Sequence, residues 1–209
     1  MNKIKISYLL TVKDEIEEIK RLIPFLCEYK RKADEIIVLW DSKNGSKEVY
    51  DYLVTFDMNG KYSGPLPYKL YSYGFEFDRN FSKMKNHLNS LATTDYIINL
   101  DADEIVSEQF MDIVPTIIEN NPEIDFYWVS RENYVNGITE EHIKKWGWNV
   151  DNKNRINWPD KQGRIYRNIP EIKWEGRVHE KIVGYKTFSS LPEIPEFAIN
   201  HTKTIQKQE

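Results

Sequence analysis

Asp101, Asp103 and Glu104 set three carboxylates within four residues, directly after the apolar run Tyr96-Ile97-Ile98-Asn99-Leu100. Like charges held this close repel and raise one another's pKa unless positive charge sits among them. A divalent cation bound by hard oxygen ligands answers that need, and such a cation commonly carries a substrate diphosphate. The plainer reading makes the three acids caps for a helix that opens near Ser107. One carboxylate would serve that purpose, so the cation reading ranks above the cap.

The elements that must position these residues follow from hydrophobic spacing. Residues 4–12 read as a buried strand, and Ile16, Ile19, Leu22, Ile23 and Leu26 recur at helical spacing. A second strand over 35–40 stops at the turn-rich Asp41-Ser42-Lys43-Asn44-Gly45-Ser46. A helix over 47–56, a loop over 59–67, a strand over 68–73, a helix over 81–91, a strand over 95–100 and a helix over 107–120 follow. This alternation predicts an α/β layer fold, a sandwich with a mostly parallel central sheet. After Pro122 a further strand covers 125–130, a long irregular stretch covers 131–163, short strands follow within 164–167 and 173–183, and the tail from Lys203 reads as frayed.

In open parallel sheets ligands bind beyond the carboxyl ends of the strands. Three polar clusters fall there: Lys13-Asp14-Glu15, Asp41-Ser42, and Asp101 to Glu104. Asp41 is placed to accept hydrogen bonds from a base or ribose, and its plainer role is to cap the Asn-Gly turn.

Composition narrows the class. With 29 basic and 33 acidic residues the net charge is -4, which gives no global attraction to nucleic acid or anionic membrane. The single cysteine, Cys27, excludes an internal disulfide and multi-cysteine zinc patterns, and lies in an apolar helical stretch as a small core residue. The first residues lack the apolar region of a signal peptide, and no apolar run approaches the roughly 20 residues that span a bilayer. The expectation is a cytoplasmic protein of one domain over 1–209, without stable membrane insertion.

Three motifs extend the reading. Asn80-Phe81-Ser82-Lys83-Met84-Lys85-Asn86 is followed by Ala92-Thr93-Thr94-Asp95 and the apolar strand ending Asp101-Ala102-Asp103-Glu104. Trp158-Pro159-Asp160-Lys161-Gln162-Gly163-Arg164-Ile165-Tyr166-Arg167 and Trp174-Glu175-Gly176-Arg177-Val178-His179-Glu180 come later in the chain. Their order and spacing resemble family 2 glycosyltransferases. The resemblance runs from the first strand to about His201, although the first strand ends Thr11-Val12-Lys13-Asp14-Glu15 rather than P-x-Y-N-E.

That resemblance implies a GT-A fold and inverting transfer of a sugar from a nucleoside-diphosphate sugar, UDP by default, with Mn²⁺ or Mg²⁺ on the diphosphate. The half over 1–120 would bind the nucleotide-sugar and the half over 121–209 the acceptor. Carried over by position, Asp14, Glu15, Asp41, Lys85, Asp101 and Arg164 would bind the donor. Asp101, Asp103 and His201 would form the metal site, with Asp103 the direct ligand and Asp101 facing the ribose or a metal-bound water. Lys85 stands where relatives often have arginine, keeping charge but not the bidentate fork.

Glu180 is the expected general base, with Asp160 the weaker candidate, and His179 would orient Glu180 or touch the donor phosphate. The plain role of Glu180 is a surface ion pair with Arg177 or Lys181. Arg164 and Arg167 are candidate helpers at the leaving group. Trp146, Trp148, Trp158 and Trp174 offer flat faces, one or two of which should line an acceptor groove. The acceptor itself is open among a glycan, a lipid-linked sugar, a protein side chain and a modified nucleobase, with nucleic acid not favoured. Two rivals stand beside this reading. A haloacid-dehalogenase-like phosphatase would normally open its fold with D-x-D, whereas a hundred residues precede it here. A catalytically inactive nucleotide-sugar-binding relative would be expected to have lost acids that this chain keeps.

Overall fold

The computed structural model describes residues 3–55 and 69–208. Its first part alternates strand and helix: β1 (Ile6–Val12), α1 (Ile16–Tyr29), β2 (Glu35–Asp41), α2 (Lys47–Val54), β3 (Leu70–Phe75), α3 (Phe81–Leu91) and β4 (Tyr96–Asp101). A short β5 (Glu104–Ile105) and α4 (Glu108–Asn120) follow. The second part is richer in strands: β6 (Phe126–Asn136), α5 (Glu140–Trp146), β7 (Ile156–Arg167), β8 (Lys173–Glu175), β9 (Lys181–Val183), β10 (Phe188–Ser190), β11 (Ile199–Thr204) and α6 (Ile205–Gln208).

The main sheet runs β3-β2-β1-β4-β7-β6-β11-β5, with β10 also on β6. β1 to β4 are mutually parallel, whereas β7 enters antiparallel between β4 and β6. β8 and β9 form a separate two-stranded ribbon. The fold class is therefore α/β with a mixed, mostly parallel sheet.

Successive side chains of a strand point to opposite faces, which explains why β1 reads as continuously apolar. Ile6, Tyr8, Leu10 and Val12 join Ile19, Leu22 and Ile23 of α1 and Phe110, Val114 and Ile118 of α4 in one buried cluster. Leu9, with Ile37, Leu39 and Ile97 of neighbouring strands, packs on the other face against Met84 and Leu88 of α3. Each such Leu or Ile fully removed from water contributes about 1.5–3 kcal/mol, so the two layers fix where the strand ends lie. Cys27 is buried in the first cluster, and burial pushes its thiol up to about 11, consistent with the core role. Among the described residues no helix is long and apolar enough to cross a membrane.

Ser107 caps α4 with its own hydroxyl, which accepts the Phe110 N–H at 2.9 Å. The acids at 101–104 are thus released from the capping role. Asn80 does the same for α3, accepting from Lys83 N–H at 3.0 Å.

Three expectations change. The stretch 131–163 is not irregular: β6 continues to Asn136, α5 is closed by a Thr139–His142 capping box and Gly147 in the left-handed region, and β7 begins at Ile156. The paired arms of β6 and β7 reach beyond the main core, so their polar residues hid the pairing. The tail does not fray at Lys203, because β11 continues to Thr204 and Ile205 is buried against Val135 and Ile156. The strand expected over 68–73 is observed as Leu70–Phe75. The loop expected over 59–67 lies outside the described residues.

Candidate active site

β4 delivers Asp101 to the carboxyl edge of the sheet, and β7 brings Arg164 to meet it. Tyr127 is paired with Ile165 and Trp128 with Gly163, so Arg164 has no opposite residue on β6. An extra residue of this kind bends a strand and re-aims a side chain. Arg164 Nη2 donates to Asp101 Oδ2 at 2.7 Å and to Glu104 Oε1 at 2.6 Å. Arg131 Nη1 donates to the same Glu104 oxygen at 3.0 Å, and its Nη2 lies 2.8 Å from Asp160 Oδ2. Arginines therefore supply the positive charge required beside Asp101 and Glu104.

Burial alone would raise the Asp101 carboxyl. The Arg164 guanidinium and the Lys85 ammonium outweigh it and hold the group well below the usual carboxylate range. Burial works against the Arg164 charge, yet Asp101 and Glu104 more than restore it, leaving its pKa above the ordinary value. The buried Nε of Arg164 has no hydrogen-bond partner among the described residues.

Asp103 turns the other way. Its Oδ2 lies 3.2 Å from His201 Nε2, and His201 Nδ1 lies 2.8 Å from Asn133 Oδ1. A carbonyl oxygen only accepts, so this arrangement places the ring proton on Nδ1 and leaves Nε2 aimed at the carboxylate. Two lone-pair donors facing each other need a proton or a cation between them. Adjacent octahedral ligands at about 2.1 Å stand about 3.0 Å apart, so the observed spacing admits both on one small divalent cation. When a proton fills that gap, the hydrogen bond and charge of the doubly protonated His201 outweigh burial and bring the Asp103 carboxyl below its ordinary value.

The donor set thus fits Mn²⁺ or Mg²⁺ with two protein ligands, the remainder being left to water and phosphate oxygens. Asp101, the third acid expected at the metal site, has Oδ2 2.7 Å from Arg164 Nη2 and Oδ1 3.7 Å from Lys85 Nζ. No group of three His, Cys, Asp or Glu side chains converges as a metal site among the described residues.

A cavity of about 760 Å³ opens beside this cluster, its lining including Thr11, Lys85, Asp101 and Arg164. Lys85, on α3, is buried; its Nζ lies 2.8 Å from Glu180 Oε1, 3.7 Å from Asp101 Oδ1 and 4.4 Å above the Trp174 ring. The partner of Glu180 is therefore Lys85 rather than Arg177 or Lys181. His179 also lines the cavity, exposed and with a positive φ of 57°, a conformation uncommon for a residue with a Cβ.

The early strand ends hold their acids locally. Glu15 Oε2 accepts from Lys13 N–H at 2.7 Å and Asp14 N–H at 3.1 Å, while exposed Asp14 pairs with Lys13. Asp41 is buried and accepts from Lys43 N–H, Asn44 N–H and the Asn44 side-chain amide. Burial raises the Asp41 carboxyl, and these hydrogen bonds bring it below its ordinary value. It caps the turn as the plainer reading has it.

The sequence profile for Glycosyl transferase family 2 matches residues 7–172. The chain belongs to this family. The haloacid-dehalogenase reading is accordingly set aside. Among solved structures, residues 1–349 of TarS from S. aureus superpose with a TM-score of 0.63 at 16% identity, covering 95% of this chain and 60% of that one. The same TarS segment in complex with UDP-GlcNAc gives 0.64 at 14% identity, covering 95% of this chain and 58% of that one. At this identity the likeness shows the fold, the GT-A arrangement, and the chain spans about three-fifths of the TarS segment. No match was found among curated proteins.

Of the four tryptophans, one or two of which are expected at the groove, Trp174 lines the cavity. Trp146 and Trp148 pack with ring centroids 4.7 Å apart and planes tilted by 31° in a satellite cluster, and Trp158 lies under Arg155 at 4.2 Å. Sequence reasoning passed over Arg131, Asn133 and Trp128. The signal was there: with the strand carried to Asn136, period-2 alternation puts Arg131 and Asn133 on one face. Arg167 ties the lobe together rather than serving the cavity, its Nε donating to Asp125 Oδ1 at 3.0 Å.

Proposed function

We propose that this family 2 member is a metal-dependent inverting glycosyltransferase that moves a sugar from a nucleoside-diphosphate sugar to an acceptor hydroxyl. The observation that carries the reading is Lys85 standing between Asp101 and Glu180 at one wall of a single cavity. Residues 1–120, up to the end of α4, form the donor side and residues 121–209, from β6 onward, the acceptor side. UDP is the proposed nucleotide, supported by the UDP-GlcNAc complex of the structurally similar TarS.

Asp101, held ionised by Arg164, accepts from the ribose or donor-sugar hydroxyls. Lys85 gives charge to the pyrophosphate. Glu180 accepts the acceptor's proton as the acceptor oxygen bonds to the anomeric carbon and the bond from that carbon to the phosphate oxygen breaks. Inversion follows from one displacement on the face opposite the leaving group. His179 sits beside Glu180 as its orienting neighbour. Asp103 and His201 would hold the cation, which when bound neutralises the diphosphate charge that grows on departure.

The test is a thermal-shift panel of UDP, GDP, CDP and dTDP with and without Mn²⁺ or Mg²⁺. A ligand that binds only the native state raises its melting temperature with occupancy. A rise for UDP that requires the cation is expected. The absence of any shift across the panel would overturn the reading.

A further inference from the structure

Aromatic side chains also line this cavity, among them Phe126, Trp128 and Tyr185. Phe126 is fully buried and stacks on Tyr185, with ring centroids 4.3 Å apart and planes at 11°. Trp128 meets the same ring edge-on, with centroids at 4.8 Å and planes at 82°. Gly163 makes room for this arrangement: a Cβ there would lie 2.6 Å from Phe126 Cζ. Trp128 and Tyr185 are only half-buried and both line the cavity, so they are the aromatic surface a ligand meets. Their orientation is fixed before any ligand arrives, because the buried Phe126 touches both. Lys161, Gln162 and Lys181 line the same cavity.

We propose that Trp128 and Tyr185 form a subsite for a pyranose ring of the acceptor, making the acceptor a sugar-terminated molecule; this rests on the transferase reading above. A pyranose has an apolar C–H face and a rim of hydroxyls. Trp128 and Tyr185 stand roughly perpendicular to each other, so one rigid aromatic face serves as a shelf for the C–H face while the polar side chains around it meet the hydroxyls, whereas an alkyl chain would leave those polar groups facing hydrocarbon. The position suits transfer. Glu180 pairs with Lys85, and Glu180, Ile182 and Tyr185, close together in the chain, all line this cavity. A ring seated on the shelf has its hydroxyl rim within the cavity that holds the proposed base.

The experiment is saturation-transfer-difference NMR of methyl β-glucopyranoside, methyl β-galactopyranoside and methyl N-acetyl-β-glucosaminide on the full chain with UDP and Mn²⁺. Sorbitol, equally hydroxylated but without a ring face, is the control. At least one methyl glycoside is expected to show saturation of ring C–H protons, with sorbitol silent. The signal should fall at least tenfold in Trp128→Ala and in Tyr185→Ser and persist in Trp128→Phe. The two separate sites guard against one variant failing to fold. No glycoside signal in the parent, or an undiminished signal in both folded variants, overturns the subsite. The UDP thermal shift reports separately on the transferase reading. A UDP shift without glycoside signal defeats the subsite alone, and a glycoside signal without a UDP shift defeats the transferase reading and with it the acceptor assignment, leaving a sugar-binding surface.

Discussion

Lys85 Nζ and Glu180 Oε1 stand 2.8 Å apart, joining α3 to the turn that leads into β9. Glu180, a late residue in the chain, is thereby fixed against an early helix and beside the carboxyl edge of β4. With Asp101 3.7 Å from the same ammonium, one cation organises the two acids proposed for donor and acceptor chemistry.

Glu180→Gln keeps the shape of this contact and removes the proton acceptor. Transfer is expected to fall about 10²- to 10⁴-fold while the UDP thermal shift with Mn²⁺ stays within error. Product formation and donor binding measured on the same sample separate the two effects. Full activity in the variant would place the base elsewhere.

Asp103→Ala removes one proposed cation ligand, and Asn133→Ala removes the group that fixes the His201 ring. The first should abolish the Mn²⁺-dependent part of UDP binding. The second should weaken Mn²⁺ affinity about 10- to 100-fold, the usual cost of losing an orienting partner. Calorimetry of Mn²⁺ in the presence of UDP checks both.

Arg164→Met should destabilise the fold by about 3–5 kcal/mol, because it strips the buried Glu104 and neighbouring Asp101 of their shared cation. Arg131 remains on Glu104 and limits the loss. Adding Glu104→Gln should restore part of the urea midpoint. If the single variant unfolds at the parent's urea concentration, the electrostatic account of this cluster is wrong.

Asp125 ties β6 to Arg167 and to the backbone N–H groups of Lys186 and Thr187. Burial raises its carboxyl, but these backbone and guanidinium hydrogen bonds bring the folded-state pKa below the ordinary 3.8. A group depressed on folding adds stability that is present above its unfolded pKa and lost as pH falls through the folded value. Urea midpoints at pH 7 and pH 3 should therefore fall further for the parent than for Asp125→Asn, and equal slopes would count against the assignment.

The sequence by itself determined the layered α/β architecture and the place of the acids within it. Period-2 and period-3.6 spacing depend on neighbours a few residues apart, so β1, α1, β2, α3 and β4 were legible, and with them Asp101 at a strand end. Motif order indicated the family. The charge balance required something positive among Asp101, Asp103 and Glu104, but local spacing carries no information about which distant residue supplies it. Only the tertiary structure divided the three acids, sending Asp101 and Glu104 to Arg164 and leaving Asp103 with His201. That division depends on a bulge in β7 and on β11 lying beside β6, pairings between segments tens of residues apart. The aromatic shelf was hidden for the same reason: Trp128, Phe126 and Tyr185 become one surface only where the missing Cβ of Gly163 lets the buried ring between them lie against β7.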